Sequence, residues 1–190
     1  SILGYKEEAR NNDFLRYKLA DGTIEQDIGD SDEFFKWHWS SDPVLKIALP
    51  AETRLLHTLL QQDPLLQASA CIELHQDYIT SSAPAAAYHY AFGDLTQYRH
   101  IACAVEQVVP LFKNMEISAG YPNGAGFSSD EYGFIVRHDG SACDLFWRIG
   151  VKHSITVETT GATSLLTAEA VNLIWIYGIA DLLTETEMEE

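Results

Sequence analysis

Apolar residues recur along this chain at two spacings, one helical and one extended. Leu55, Leu56, Leu59 and Leu60 fall on one helical face between Pro50 and Pro64, predicting a helix over 51–62. Residues 68–74 form a short apolar run of strand length that stops at His75. Ile101, Val105, Val108 and Val109 share one side of a helix predicted over 98–112, with Pro110 near its end. A strand is expected over 133–136 and a single helical turn over 144–149, just before Gly150. Ile155-Thr156-Val157-Glu158 is strongly β-branched and predicts a buried strand. A long helix follows over 163–183, capped by Thr163 or Ser164, with Leu165, Leu166, Val171, Ile174, Trp175, Ile179 and Leu182 apolar. Residues 120–126 read as a loop. Residues 1–50 read as polar and turn-rich, punctuated by Gly22, Gly29, Pro43 and Pro50. Within them the aromatic cluster 34–39 is expected to pack on the main body. Short apolar strands interleaved with helices indicate an α/β sandwich.

Composition narrows the function classes. A chain of 190 residues, 46% apolar, can bury one sizeable core, so a single domain is expected. Twelve basic residues against 28 acidic ones give a net charge of -16, which opposes binding to nucleic acid. A solubilising surface accounts for the excess, and a cationic substrate is the sharper alternative. Cys71, Cys103 and Cys143 are widely spaced and contain no CxxC pair, so neither a disulfide framework nor a structural zinc site is expected. A reducing, cytoplasmic setting fits that usage. No apolar leader and no bilayer-length apolar run is read from the sequence, so no membrane partner is expected. The chain opens Ser1-Ile2-Leu3-Gly4-Tyr5 without an initiator Met, as a chain lacking an N-terminal segment would.

Two polar residues stand at the ends of strand-like runs. His75 follows Ala70-Cys71-Ile72-Glu73-Leu74, and Glu158 follows Ile155-Thr156-Val157. Ligands of α/β sheets collect beyond the carboxyl ends of strands. A neutral imidazole there can bind a metal, and a carboxylate beside metal-bound water can act as general base.

The contexts of both residues resemble the C-terminal part of the zinc metallocarboxypeptidases, a superfamily that includes the succinylglutamate desuccinylases. Ile72-Glu73-Leu74-His75-Gln76-Asp77-Tyr78 is similar to the strand carrying that family's third zinc ligand. Gly150-Val151-Lys152-His153-Ser154-Ile155-Thr156-Val157-Glu158-Thr159-Thr160-Gly161 resembles the segment that ends in its catalytic glutamate. Gly140-Ser141-Ala142-Cys143-Asp144-Leu145-Phe146 is similar, with one residue more, to the floor of its specificity pocket. Asp13-Phe14-Leu15-Arg16 resembles its Asp-Leu-Asn-Arg, with Leu15 replacing Asn, and Leu49-Pro50-Ala51-Glu52-Thr53-Arg54 resembles a helix start.

The resemblance implies a three-layer α/β/α sandwich with a mixed sheet, residues 1–190 forming one catalytic domain without its N-terminal segment. It implies zinc as cofactor, His75 as a metal ligand and Glu158 as general base. Arg16, Cys143 and Asp144 would bind substrate. Arg137, close to where the family keeps a mobile tyrosine, would take an anionic substrate group. The family's His-x-x-Glu ligands are missing: none of His38, His57, His75, His89, His100, His138 and His153 has Glu three residues on. They are expected upstream of this chain, or lost. The implied activity is zinc-dependent hydrolysis of a C-terminal peptide bond or related amide. The alternatives are a deacylase of acyl amino acids and a metal-free, peptidase-like binding module. The oligomeric state is left open.

Overall fold

The computed structural model describes residues 6–11, 14–18, 24–26, 58–60, 62, 67–77, 84–117, 127–136 and 141–187. Strands β1 (Lys6–Asn11), β2 (Phe14–Lys18) and β3 (Ile24–Gln26) form an antiparallel sheet in that order. Charge hides β1 from a reading of apolar runs, and β2 and β3 are only five and three residues long. In the β1–β2 pair Asn11 stands opposite Phe14, and residues 12 and 13 lie outside the described residues.

The main body is a mixed sheet of four strands with helices on it. Its strands are β4 (Ala70–Asp77), β5 (Ala87–Ala91), β8 (Phe134–Ile135) and β9 (His153–Thr160), in the order β4-β9-β5-β8. A small antiparallel pair, β6 (Glu116–Ile117) and β7 (Phe127–Ser128), lies between β5 and β8 in sequence. Strand β9 runs parallel to β4 and antiparallel to β5, while β8 runs parallel to β5. All eight residues of β9 are buried, which suits its β-branched composition.

Side-chain alternation divides the sheet into two faces. On one, Ile155, Val157, Ala87, Ala91 and Phe134 meet Val171, Trp175 and Ile179 of α3 (Leu165–Glu187) and Ile101 and Val105 of α1 (Arg99–Glu106). On the other, α2 (Ala142–Arg148) packs against β4 and β9, and Tyr88, Tyr90, Phe112 and Ile135 form a second cluster. Strand β5 had no counterpart in the sequence reading. Its residues Ala87-Tyr88-His89-Tyr90-Ala91 carry little β-branched signal, yet all five are buried between two packed faces.

The helix boundaries differ from expectation for local reasons. The helix expected over 98–112 begins with a 3₁₀ turn, Leu95–Tyr98, capped by Asp94, and its α-helical part stops at Glu106. Beyond it the chain pairs with β5 instead: Ala87 N donates to Pro110 O and Phe112 N to Ala87 O, both at 2.9 Å. Helix α2 is longer than the single turn expected, because Ser141 Oγ accepts from Asp144 N and Arg148 pairs with Asp144 at 2.9 Å. Helix α3 is capped by Ser164, whose Oγ accepts from Thr167 N at 3.1 Å. Of the helix expected over 51–62, residues 58–60 are helical and 51–57 lie outside the described residues, as do the cluster 34–39 and the loop 120–126.

Helix α3 corrects one expectation. Its stretch Leu165–Thr184 reaches a mean hydropathy of 1.4, long and apolar enough to cross a bilayer by length and composition alone. Glu169, Asn172 and Asp181 interrupt the apolar run and hide its length in the sequence. Here Val171, Trp175 and Ile179, each at most 2% exposed, seat it on the sheet.

Helices α1 and α3 cross at Gly178, where a Cβ would lie 2.6 Å from Ile101 Cγ1. Ile101 is 1% exposed and has no room to retreat. Gly178→Ala is therefore expected to destabilise by about 1–3 kcal/mol through overpacking, outweighing the gain of about 1 kcal/mol in helix propensity. Urea unfolding checks this, and Gly178→Ala should cost less when introduced into an Ile101→Ala background, where the opposing side chain is gone; a stabilised Gly178→Ala protein would contradict the close crossing.

Candidate functional site

Strand β4 alternates Ala70, Ile72 and Leu74 with Cys71, Glu73 and His75, so the second set shares the face that carries α2. Parallel pairing with β9 sets Cys71 opposite Ser154, Glu73 opposite Thr156 and His75 opposite Glu158. Residues 83 apart in sequence thereby become neighbours: His75 Nδ1 and Glu158 Oε1 are 3.1 Å apart. Both lie two residues before the carboxyl ends of their strands, which the parallel arrangement brings to one edge.

The pair has one wet and one dry member. The His75 side chain is 51% exposed and that of Glu158 only 11%.

A second carboxylate supports the first pair from behind. Glu73 Oε2 accepts from Thr156 Oγ1 and from Cys143 N, each at 3.2 Å. Cys143 lies in the first turn of α2, so Glu73 satisfies one of the amide groups that a helix start leaves open. Ser154 Oγ donates to Cys143 O at 2.6 Å, which ties the same residue to β9. Gln76 Nε2 donates to Thr163 O at 2.8 Å and Thr160 O at 3.3 Å, anchoring the end of β4 to the turn before α3. The strand edge bearing His75 is thus held at both sides.

A cavity of about 400 Å³ opens between β4 and the first half of α3, lined by Leu74, His75, Gln76, Leu165, Glu169 and Asn172 among others. His75 borders it; Glu158 is not among its lining residues.

No protein-family model, curated protein or solved structure matches this chain.

The remaining sequence candidates divide by position. Cys143 and Asp144 are both fully buried in α2, and Arg148 Nε meets the Asp144 carboxylate at 2.9 Å. Neither exposes a side-chain atom, so as placed they shape the wall behind β4 and do not reach solvent. Arg16 lies in β2, opposite Ala9 and Gln26, and its side chain is outside the described residues. Arg137 is also outside them. Among the described residues no group of three His, Cys, Asp or Glu side chains is arranged to hold a metal. Glu73, Thr156 and Gln76 carry no signal in the sequence that marks them as supports of the site. Treating 68–74 as one continuous apolar run hid the strict alternation that places Glu73 and His75 on the same face.

Proposed function

We propose that the protein is a hydrolase of a C-terminal peptide bond or a related amide, with Glu158 as general base and His75 as one metal ligand. The observation that carries this reading is the 3.1 Å approach of His75 Nδ1 to Glu158 Oε1 across two parallel strands. A strand-edge imidazole beside a nearly dry carboxylate is the donor set that a metal-assisted hydrolysis uses. The mixed sheet with α1 and α3 on one face and α2 on the other supports the finer assignment to a zinc-carboxypeptidase-like α/β/α sandwich.

A catalytic zinc takes three protein ligands and a water. His75 suits one of those positions, and the other ligands would come from outside the described residues. Zinc supplies a lowered pKa for bound water and polarises the scissile carbonyl. Glu158 takes a proton from water and returns it to the leaving amine, a role its shielded position favours. Glu73 positions β4 through Thr156 and the α2 amide. Arg16 would steady the developing oxyanion. The same pair serves an acyl amino acid deacylase, so the substrate class is settled by trial. A cytoplasmic setting without nucleic-acid or membrane partners belongs to the same proposal.

The test is hydrolysis of a blocked dipeptide with a free carboxyl end, and of an N-acyl amino acid, by the protein carrying its complete chain. Activity on either that a chelator abolishes and added zinc restores is the expected result. Chelator-resistant activity, or none on both substrates with zinc present, would overturn the proposal.

A further inference from the structure

Behind the His75–Glu158 pair lie two thiols that the sequence separates by 72 positions. Cys71 Sγ, in β4, and Cys143 Sγ, in α2, are 3.4 Å apart. A disulfide has its sulfurs about 2.05 Å apart, so closure needs an approach of roughly 1.4 Å.

We propose that Cys71 and Cys143 are a redox-active dithiol that closes to an intramolecular disulfide when a peroxide-type two-electron oxidant is present. The surroundings assign each sulfur its role. Cys143 is fixed: its N–H donates to Glu73, its carbonyl accepts from Ser154, and its Sγ donates to Ile155 O at 3.0 Å. It is fully buried, whereas Cys71 is only partly so. Solvent oxidant therefore meets Cys71 first. The Cys71 thiol reduces the peroxide, giving a sulfenic acid and one water. The Cys143 sulfur then attacks Cys71 Sγ, the S–O bond breaks, and the departing hydroxide takes the Cys143 proton as a second water. Two thiols and one peroxide thus yield one disulfide and two waters.

The hydrogen bond with Cys71 and burial both hold the Cys143 thiol protonated, which keeps it from being the first residue attacked. Cys103, exposed on α1, provides an internal comparison because it has no such geometry. The bond would join the strand bearing His75 to the helix behind it, closing a long loop of the unfolded chain.

The experiment oxidises the native protein with hydrogen peroxide, alkylates residual thiols under denaturing conditions, and maps the peptides by mass. The expected result is one peptide pair linked through Cys71 and Cys143, with the intact chain lighter by two hydrogens. The thermal midpoint should also rise by roughly 10 °C, reversed by dithiothreitol. Cys103→Ser should keep the link, and Cys71→Ser should abolish it. Alkylation of both Cys71 and Cys143 after oxidation, or linkage of either to Cys103 or to a second chain, would overturn the proposal. Mapping on the unsubstituted protein decides the matter even if a variant fails to fold.

Discussion

Glu158→Gln is expected to lower kcat for amide hydrolysis by about 10²–10⁴-fold, the range that a positioned general base supplies. The amide has nearly the same shape as the carboxylate, and its oxygen can still accept from His75 Nδ1, where the native contact is 3.1 Å. The fold should therefore persist, and KM should change little. What the amide lacks is the capacity to take a proton from water, so the loss falls on the chemical step. Steady-state kinetics with circular dichroism check both halves of the prediction. A variant with kcat within a few-fold of the parent would remove Glu158 from the reaction.

Acid is expected to destabilise the protein through His89. This residue sits in β5, fully buried, with its ring 4.7 Å from that of Trp175 and 5.8 Å from that of Phe134. Among the described residues neither ring nitrogen finds a hydrogen-bond partner. Burial lowers its pKa from 6.5 to about 3. The unfolded chain takes up a proton as pH falls through 6.5, while the folded chain stays neutral until pH approaches 3. Stability is therefore full above pH 6.5 and falls progressively between 6.5 and 3, by on the order of 4 kcal/mol. His89→Phe keeps an aromatic ring in the cluster and removes the titration. Urea midpoints at pH 7 and pH 4 should diverge less for this variant than for the parent, the difference isolating His89 from the background of titrating carboxylates. Equal losses in both proteins would show that His89 is not the responsible group.

Much of the main sheet was legible because its strands and helices carry strong local signals. The β-branched run at Ile155–Val157 and the apolar stretch following Ser164 appear as β9 and α3. Strand β5 was illegible for the opposite reason: alanine and tyrosine say little locally, and burial from both faces makes it a strand. In the β1–β2 pair, Lys6, Glu7, Glu8 and Arg10 leave β1 without an apolar pattern, and the five residues of β2 are too short a signal alone. At the candidate site, His75 and Glu158 stand out in the sequence from their places near strand ends and from contexts that resemble one family's metal ligand and general base. Their contact required the parallel register of β4 with β9, which no local pattern encodes. The supporting role of Glu73 and the pairing of Cys71 with Cys143 depend on where α2 packs. Both are products of tertiary structure, and the 72-position separation of the thiols defeats any motif search.

The sharpest check of the shared site is the zinc content of two single variants of the complete chain, prepared alongside the parent. If His75 holds the metal and Glu158 handles the proton, His75→Ala should lose bound zinc and activity together. Glu158→Gln should keep about one zinc per chain, as expected of a catalytic site, while losing activity. Full zinc occupancy in His75→Ala, or no zinc in the parent, would contradict the account.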